Sequence, residues 1–389
     1  MNGPNSVIPF NKPYLTGNEH IYITQALACG KLAGDGPFTK LCHDWLELHS
    51  GAHKVLLTHS CTTALEMTGL LLEIGAGDEV ILPSYTFVST ANAFVMRGGI
   101  PVFVDIRSDT LNIDETLIED AITSRTRAIV VVHYAGVSCD MDSIITIAER
   151  HGIAVIEDAA QGVMATYKDR PLGSIGHMGT YSFHETKNLI SGEGGALLVS
   201  DARFAQPAEI IREKGTDRGR FFRGEVDKYT WQSIGSSYLP GEMTAAFLYA
   251  QLQHADVITR SRLECWDYYH DLLAPMEIDG YLRRPIVPHC SKHNAHMYYV
   301  LLKDEVERQL IIDDLKGDGI STVFHYVPLH SSPAGQRFGR SHGSMEVTDR
   351  QSARLLRLPL WYGLTQGEQD RVGEALKRSI IRARLPVSQ

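Results

Sequence analysis

The 389-residue chain has no C-x-x-C pair among its cysteines, no H-E-x-x-H among its histidines, and no apolar run of any length. Each absence closes a class of function. Cys29, Cys42, Cys61, Cys139, Cys265 and Cys290 show neither a paired-thiol spacing nor a zinc-ligand spacing with histidine, so reduced thiols and no metal site are expected. The longest apolar runs, such as 128–132, are far too short to cross a bilayer. The start, Met1 to Tyr14, lacks the basic and apolar regions of a secretory signal, and a cytoplasmic protein away from membranes is the expectation. A basic stripe is missing too: net charge is −9, with 37 Lys and Arg scattered among 46 Asp and Glu, which argues against nucleic acid as a partner. Internal repeats and low-complexity linkers are absent.

What is present is an ordinary globular composition, 43% hydrophobic and 21% charged, in a chain long enough for two domains and a large core. From about 52 to 200, helical stretches alternate with short β-rich runs. This pattern predicts an α/β fold with a mostly parallel sheet covered by helices. Strands are expected at 79–82, 101–106, 128–133, 153–158, 179–183 and 196–200. Helices are expected at 62–74, closed by the Gly75–Gly77 turn, and at 141–150, closed by Gly152. After Gly241 a helical stretch to about Leu273 leads into a mixed region with strands near 297–302 and 322–326. The expected division is a large domain over 1–250 and a smaller α+β domain over 251–389.

Three places carry polar groups at predicted strand ends, where open α/β sheets bind ligands. Asp158 ends the run Ile153-Ala-Val-Ile-Glu-Asp158; a carboxylate there needs a partner or its pKa rises, although an N-cap for a following helix would serve equally. Lys187 lies in Ser182-Phe-His-Glu-Thr-Lys187-Asn188, before the glycine-rich Ser191-Gly-Glu-Gly-Gly195. In a closed pocket desolvation would make its amine nucleophilic; on an open loop it would be an ordinary solvated lysine. Ser60-Cys-Thr-Thr63 precedes a helix, where N–H groups and hydroxyls make an anion site, or merely a cap. One ligand meets all three demands. Pyridoxal 5'-phosphate (PLP) would place its phosphate on Ser60–Thr63 and Ser182, its aldehyde on Lys187 and its ring nitrogen against Asp158.

The chain also resembles, over nearly its whole length, the DegT/DnrJ/EryC1/StrS sugar aminotransferases within the aspartate aminotransferase-like PLP fold type I group. The residues that carry this are Gly30 to Phe38, Ser60-Cys-Thr-Thr-Ala-Leu, Pro83-Ser-Tyr-Thr-Phe-Val-Ser-Thr-Ala-Asn, Glu157-Asp-Ala-Ala-Gln161, Ser182-Phe-His-Glu-Thr-Lys-Asn, Gly192-Glu-Gly-Gly and His325-Tyr-Val-Pro-Leu-His330. The resemblance implies that Lys187 carries the cofactor, Asp158 pairs with the pyridine nitrogen and Gln161 meets the ring hydroxyl. It implies Ser182, Thr62 and Thr63 as phosphate ligands, with Phe87 stacked on one face of the ring and Ala160 against the other. Relatives that are dehydratases have histidine in place of the lysine; here Lys187 is kept, and His184 stands three positions away. Many relatives send an asparagine from a neighbouring subunit to the phosphate. Ser237 stands at that position here, and its shorter hydroxyl would donate one hydrogen bond directly or through water.

Three further segments, Lys214-Gly-Thr, Phe221-Phe-Arg-Gly-Glu-Val-Asp-Lys-Tyr-Thr-Trp231 and Asn294-Ala-His-Met297, narrow the resemblance to members that aminate C4 of dTDP-4-keto-6-deoxyglucose. Glutamate is the implied donor and dTDP-4-amino-4,6-dideoxygalactose the implied product, for a cell-surface polysaccharide of the enterobacterial common antigen type. Such members are typically homodimers whose active sites the partner chain completes. Phe222, Arg223, Lys228 and Tyr229, with the loop bearing His325 and Tyr326, suit a base and a diphosphate; an ordinary polar surface loop is the other reading of the first four. Rival functions are amination at C3, a UDP-linked ketosugar, or a PLP- or sugar-nucleotide-binding regulator. Retention of Lys187 and Asp158 together argues against the last, since a pure binder needs no proton shuttle.

Overall fold

In the computed structural model, which describes residues 7–385, eight strands form one sheet. Their spatial order is Lys54–Thr58, Gly195–Val199, Met178–Ser182, Ala154–Asp158, Thr126–Val132, Glu79–Pro83, Ile100–Val104 and Arg340–Ser341. From Met178–Ser182 outward to Arg340–Ser341 every pairing is parallel, and Gly195–Val199 runs antiparallel between its two neighbours. The strands Glu79–Pro83, Met178–Ser182 and Gly195–Val199 are buried at every position, as a sheet covered on both faces requires.

Alternation along the strands divides the core between two faces. Ile129 and Val131 point into one apolar cluster with Met141 and Ile144, while Ala128 and Val130 point into another with Ala64, Leu65 and Phe94. The helix Met141–His151 is closed by Gly152 at φ 64°, whose N–H reaches back to Ala148 O, the left-handed stop that its glycine suggested. The helix Cys61–Leu71 stops three residues short of the expected end.

A third cluster joins the helices Ala255–Leu272, Glu305–Gly317 and Gln366–Arg384 with the antiparallel pair Tyr298–Leu301 and Leu355–Leu358. Ile8 packs in this cluster and pairs with Ile320, so the first described residues lie on the C-terminal part of the chain. Conversely, Arg340–Ser341 supplies an edge strand of the large sheet. The first six and last four residues of the two expected domains lie outside the described residues. The helical stretch after Gly241 is two helices, Glu242–Leu252 and Ala255–Leu272.

The strand expected at 322–326 does not form. Only Val323 pairs, with Arg357. His325 and Tyr326 instead turn into a cavity, and Pro328 has no N–H to extend a ladder. Among the described residues no helix is long and apolar enough to cross a membrane, and no group of three or more His, Cys, Asp or Glu is placed to hold a metal ion.

Candidate active site

Asp158 and Ser182 are the last residues of adjacent parallel strands, and Ser60 lies just beyond a third. The sheet thus brings all three to its carboxyl edge, where they line a cavity of about 500 Å³ together with Lys187.

Asp158 forms the floor. It is 5% exposed, accepts a 2.7 Å hydrogen bond from the Thr90 hydroxyl and a 3.2 Å bond from the Ala160 N–H. A turn follows it rather than a helix, so the N-cap role is not the one it fills. Burial pushes its carboxyl above the usual range, and Thr90, Ala160 and Lys187 pull it back only in part. Such a carboxylate is suited to a cationic ring nitrogen.

Lys187 stands on the loop between the strands Met178–Ser182 and Gly195–Val199. Backbone bonds from Phe183 to Gly194, Glu185 to Gly192 and Ser191 to Phe183 close this loop, and Lys187 N–H donates to His184 O at 2.9 Å. Gly192, at φ 78°, makes the turn. Burial lowers the pKa of the amine, opposed by Cys61 and Asp158. The uncharged form that attacks a carbonyl is thereby favoured.

The third wall is the start of the helix Cys61–Leu71. Thr62 and Ser89, hydrogen-bonded to each other at 2.7 Å, and Ser60 face the cavity beside Ser182. A Cβ on Gly195 would lie 2.3 Å from Cys61 N; the glycine lets the strand pass directly beneath this cradle. The N–H groups at the start of this helix and the four hydroxyls of Ser60, Thr62, Ser89 and Ser182 fit a phosphate ester. Thr63 departs from expectation. Its hydroxyl donates to Ser60 O at 2.8 Å and its N–H to Ser60 Oγ at 3.2 Å, so the capping box of the helix consumes it and it does not line the cavity.

Phe87 and Ala160 line the cavity, and Phe87, 55% exposed, sits 6.2 Å from Tyr326 ring to ring. Gln161 accepts from Ala135 N–H at 2.6 Å and donates to the Tyr326 hydroxyl at 2.9 Å, leaving one amide hydrogen for a ligand. His325 stacks on Tyr326 at 3.7 Å and bonds the Tyr134 hydroxyl at 2.7 Å. Both rings of the His325–Tyr326 pair face the cavity.

Arg223, Lys228, Tyr229 and Ser237 do not enter the cavity of their own chain. Arg223 is paired with Glu225 and Glu209 at 2.6 and 3.0 Å. Tyr229 packs on Phe221, and Phe222 lies under the Arg218 guanidinium. Ser237 pairs with Glu213. This segment folds back over the helix Ala205–Arg212, which turns those side chains outward on the single chain.

Sequence reasoning gave no role to Thr90, Ser89, Phe10, His296 or Arg357, which the fold brings to the site. Arg357 had a signal, a lone charge in Leu355-Leu-Arg-Leu-Pro-Leu360. Thr90 orients Asp158, so Thr90→Val should lower turnover roughly 3- to 10-fold and raise further the pH at which Asp158 ionises. A turnover and pH profile identical to the parent would remove Thr90 from this role.

A family model described as the DegT/DnrJ/EryC1/StrS aminotransferase family matches residues 13–377. The chain is 36% identical over 382 residues to the spore coat polysaccharide biosynthesis protein SpsC of Bacillus subtilis, covering 96% of this chain and 97% of that one. It is 32% identical over 373 residues to the GDP-perosamine synthase of Caulobacter vibrioides, covering 95% and 97%. Among solved structures, Spr1654 of Streptococcus pneumoniae in its PMP form matches with a TM-score of 0.89 at 27% identity, over 96% of this chain and 99% of that one.

Proposed function

The chain belongs to the DegT/DnrJ/EryC1/StrS aminotransferase family, PLP-dependent sugar aminotransferases of fold type I, and on that premise we propose that it transfers the amino group of glutamate to C4 of dTDP-4-keto-6-deoxyglucose. The observation that carries the aminotransferase chemistry is the meeting of Lys187, Asp158 and the Ser60–Thr62 cradle in one cavity. PLP, when bound, supplies the electron sink for the carbon that bears the migrating amine.

The chain's own residues divide the remaining work. Ser60, Thr62, Ser182 and the helix N-terminus hold the phosphate. Asp158 keeps a proton on the ring nitrogen, Gln161 offers its spare amide hydrogen to the ring hydroxyl, and Phe87 and Ala160 bracket the ring. Lys187 anchors the cofactor; when displaced by the donor amine it accepts the proton from Cα and returns it on the other side of the transfer, as base and then acid.

Two chains complete the site in this reading. Trp231, 81% exposed, and Phe222, 70% exposed, are large aromatic side chains left on the surface, as a homodimer interface would use. Across it Ser237 would reach the partner's phosphate cradle, and Arg223, Lys228 and Tyr229 the partner's nucleotide. The Asn294–Met297 segment, one of those that favour the dTDP sugar, supports the cavity wall: Asn294 donates to Gln161 O at 2.8 Å and Val163 O at 2.7 Å.

Incubation with glutamate and dTDP-4-keto-6-deoxyglucose should give dTDP-4-amino-4,6-dideoxygalactose, with the C4 proton pattern of an axial amine in NMR. An equatorial amine, amination at C3, or turnover confined to a UDP- or GDP-linked ketosugar would overturn the substrate assignment and leave the aminotransferase standing.

A further inference from the structure

Arg283, Lys303, Arg354 and Arg384 line a cleft of about 770 Å³ in the C-terminal part of the chain, where the carboxylates are those of Asp304 and Glu307. Four cations against two carboxylates leave a surplus of two positive charges, on a chain whose net charge is −9. Both carboxylates are already engaged. Glu307, 5% exposed, pairs with Arg384 at 2.6 Å and accepts the Lys303 N–H at 2.8 Å. Asp304 caps the helix Glu305–Gly317, accepting the Glu307 N–H at 2.9 Å.

Arg354 and Arg283 are left over. Arg354 ends the helix Glu346–Arg354, and its carbonyl accepts from the Leu302 N–H at 3.0 Å, which fixes the root of the side chain. Among the described residues that side chain makes no hydrogen bond or ion pair, and its Nε is buried. Arg283 donates to the carbonyl oxygens of Ser108 and, at 3.1 Å, Asp109. Those acceptors carry no charge, and the Arg283 Nε is also buried without a partner. Burial and the neighbouring Arg283 and Arg350 lower the pKa of Arg354, and Glu307 opposes them. Two guanidinium groups thus stand together without a carboxylate of their own, an unfavourable arrangement that an arriving anion relieves.

We propose that this cleft binds a phosphate group, with Arg354 as its main ligand. A surplus of two positive charges matches a phosphate dianion better than a single carboxylate, and a planar guanidinium offers parallel N–H groups to two of its oxygens. The cleft is larger than one phosphate. Tyr281, Leu282, Val306 and Leu310 line the rest of it, an apolar bed for the organic part of a phosphorylated metabolite. It shares no lining residue with the cofactor cavity, so the site stands apart from the aminotransferase reaction and from the choice of ketosugar.

The test uses the PLP-loaded enzyme, whose own phosphate cradle is then filled. Inorganic phosphate should raise its melting temperature above that in sodium chloride of equal ionic strength. By calorimetry Arg354→Gln should bind phosphate roughly 10- to 100-fold more weakly than the parent, and Arg354→Lys, with the charge but not the fork, should lie between them. Lys303→Gln, at an exposed position, should fold like the parent and lose about two- to fivefold in affinity. AMP titrated into parent and Arg354→Gln separates the occupants. A component that the variant lacks, tighter than phosphate, identifies a phosphorylated organic metabolite; one no tighter than phosphate identifies the free anion, and either supports the site. Undiminished phosphate affinity in Arg354→Gln, or a parent that phosphate stabilises no more than chloride does, would overturn it.

Discussion

Lys187→Ala is expected to abolish transamination and to make the Schiff-base absorbance of the holoenzyme disappear or shift. The amine stands beside the cavity without a hydrogen bond or ion pair among the described residues, and burial favours its neutral, nucleophilic form. With the amine gone there is no covalent anchor for the aldehyde and no group at that point to carry a proton. General acid–base catalysis alone accounts for roughly 10²–10⁴-fold in rate, and loss of the anchor adds to it. PLP would still bind noncovalently through the cradle and Asp158, but with the spectrum of the free aldehyde. Spectra and single-turnover rates of parent and variant check this. A variant that kept the parent's absorbance would show that another lysine holds the cofactor.

Asp158→Asn should lower turnover by roughly 10²-fold or more, because the charge that keeps the ring nitrogen protonated is lost from a dry site. Its effect on stability has the opposite sign when the cofactor is removed. Burial raises the carboxyl's pKa in the folded chain. A group raised in this way contributes its stability below the pKa of the unfolded chain, and that contribution disappears as pH rises through the folded pKa. Above the ordinary carboxylate range the buried Asp158 carboxyl therefore costs the cofactor-free protein stability. Cofactor-free Asp158→Asn should melt at the same temperature as the parent or higher at pH 7, with the difference shrinking as pH falls toward the ordinary carboxylate range. A cofactor-free variant that was markedly less stable at pH 7 would show that the carboxylate holds the fold together instead.

The residues legible in the sequence share one property: their position follows from the element next to them. Asp158 closes a run of buried residues, Ser182 closes another, and Ser60 opens a helix. In a parallel sheet such ends converge on one edge whatever the rest of the chain does, so local pattern sufficed for Asp158, Ser60, Thr62, Ser182 and Lys187. The same local logic overreached at Thr63, where the helix needed the hydroxyl for its own cap. It also overreached at 322–326, where β-favouring residues turned into a cavity wall.

Tertiary structure decided what came to the site from far away in the chain. Phe10 arrives because the start of the chain pairs at Ile8 with Ile320; Arg357 arrives because its strand pairs in register with Tyr298–Leu301; Thr90 arrives because a helix after the next strand but one aims its hydroxyl at Asp158. Folding back over the helix Ala205–Arg212 also turned Arg223 and Lys228 away from their own cavity. The sequence by itself determined the α/β class, the cofactor chemistry and the strand-end residues, because each depends on alternation, turns and caps within a few residues. Which distant side chains join them depends on packing between segments tens to hundreds of residues apart, and only the folded chain determines that.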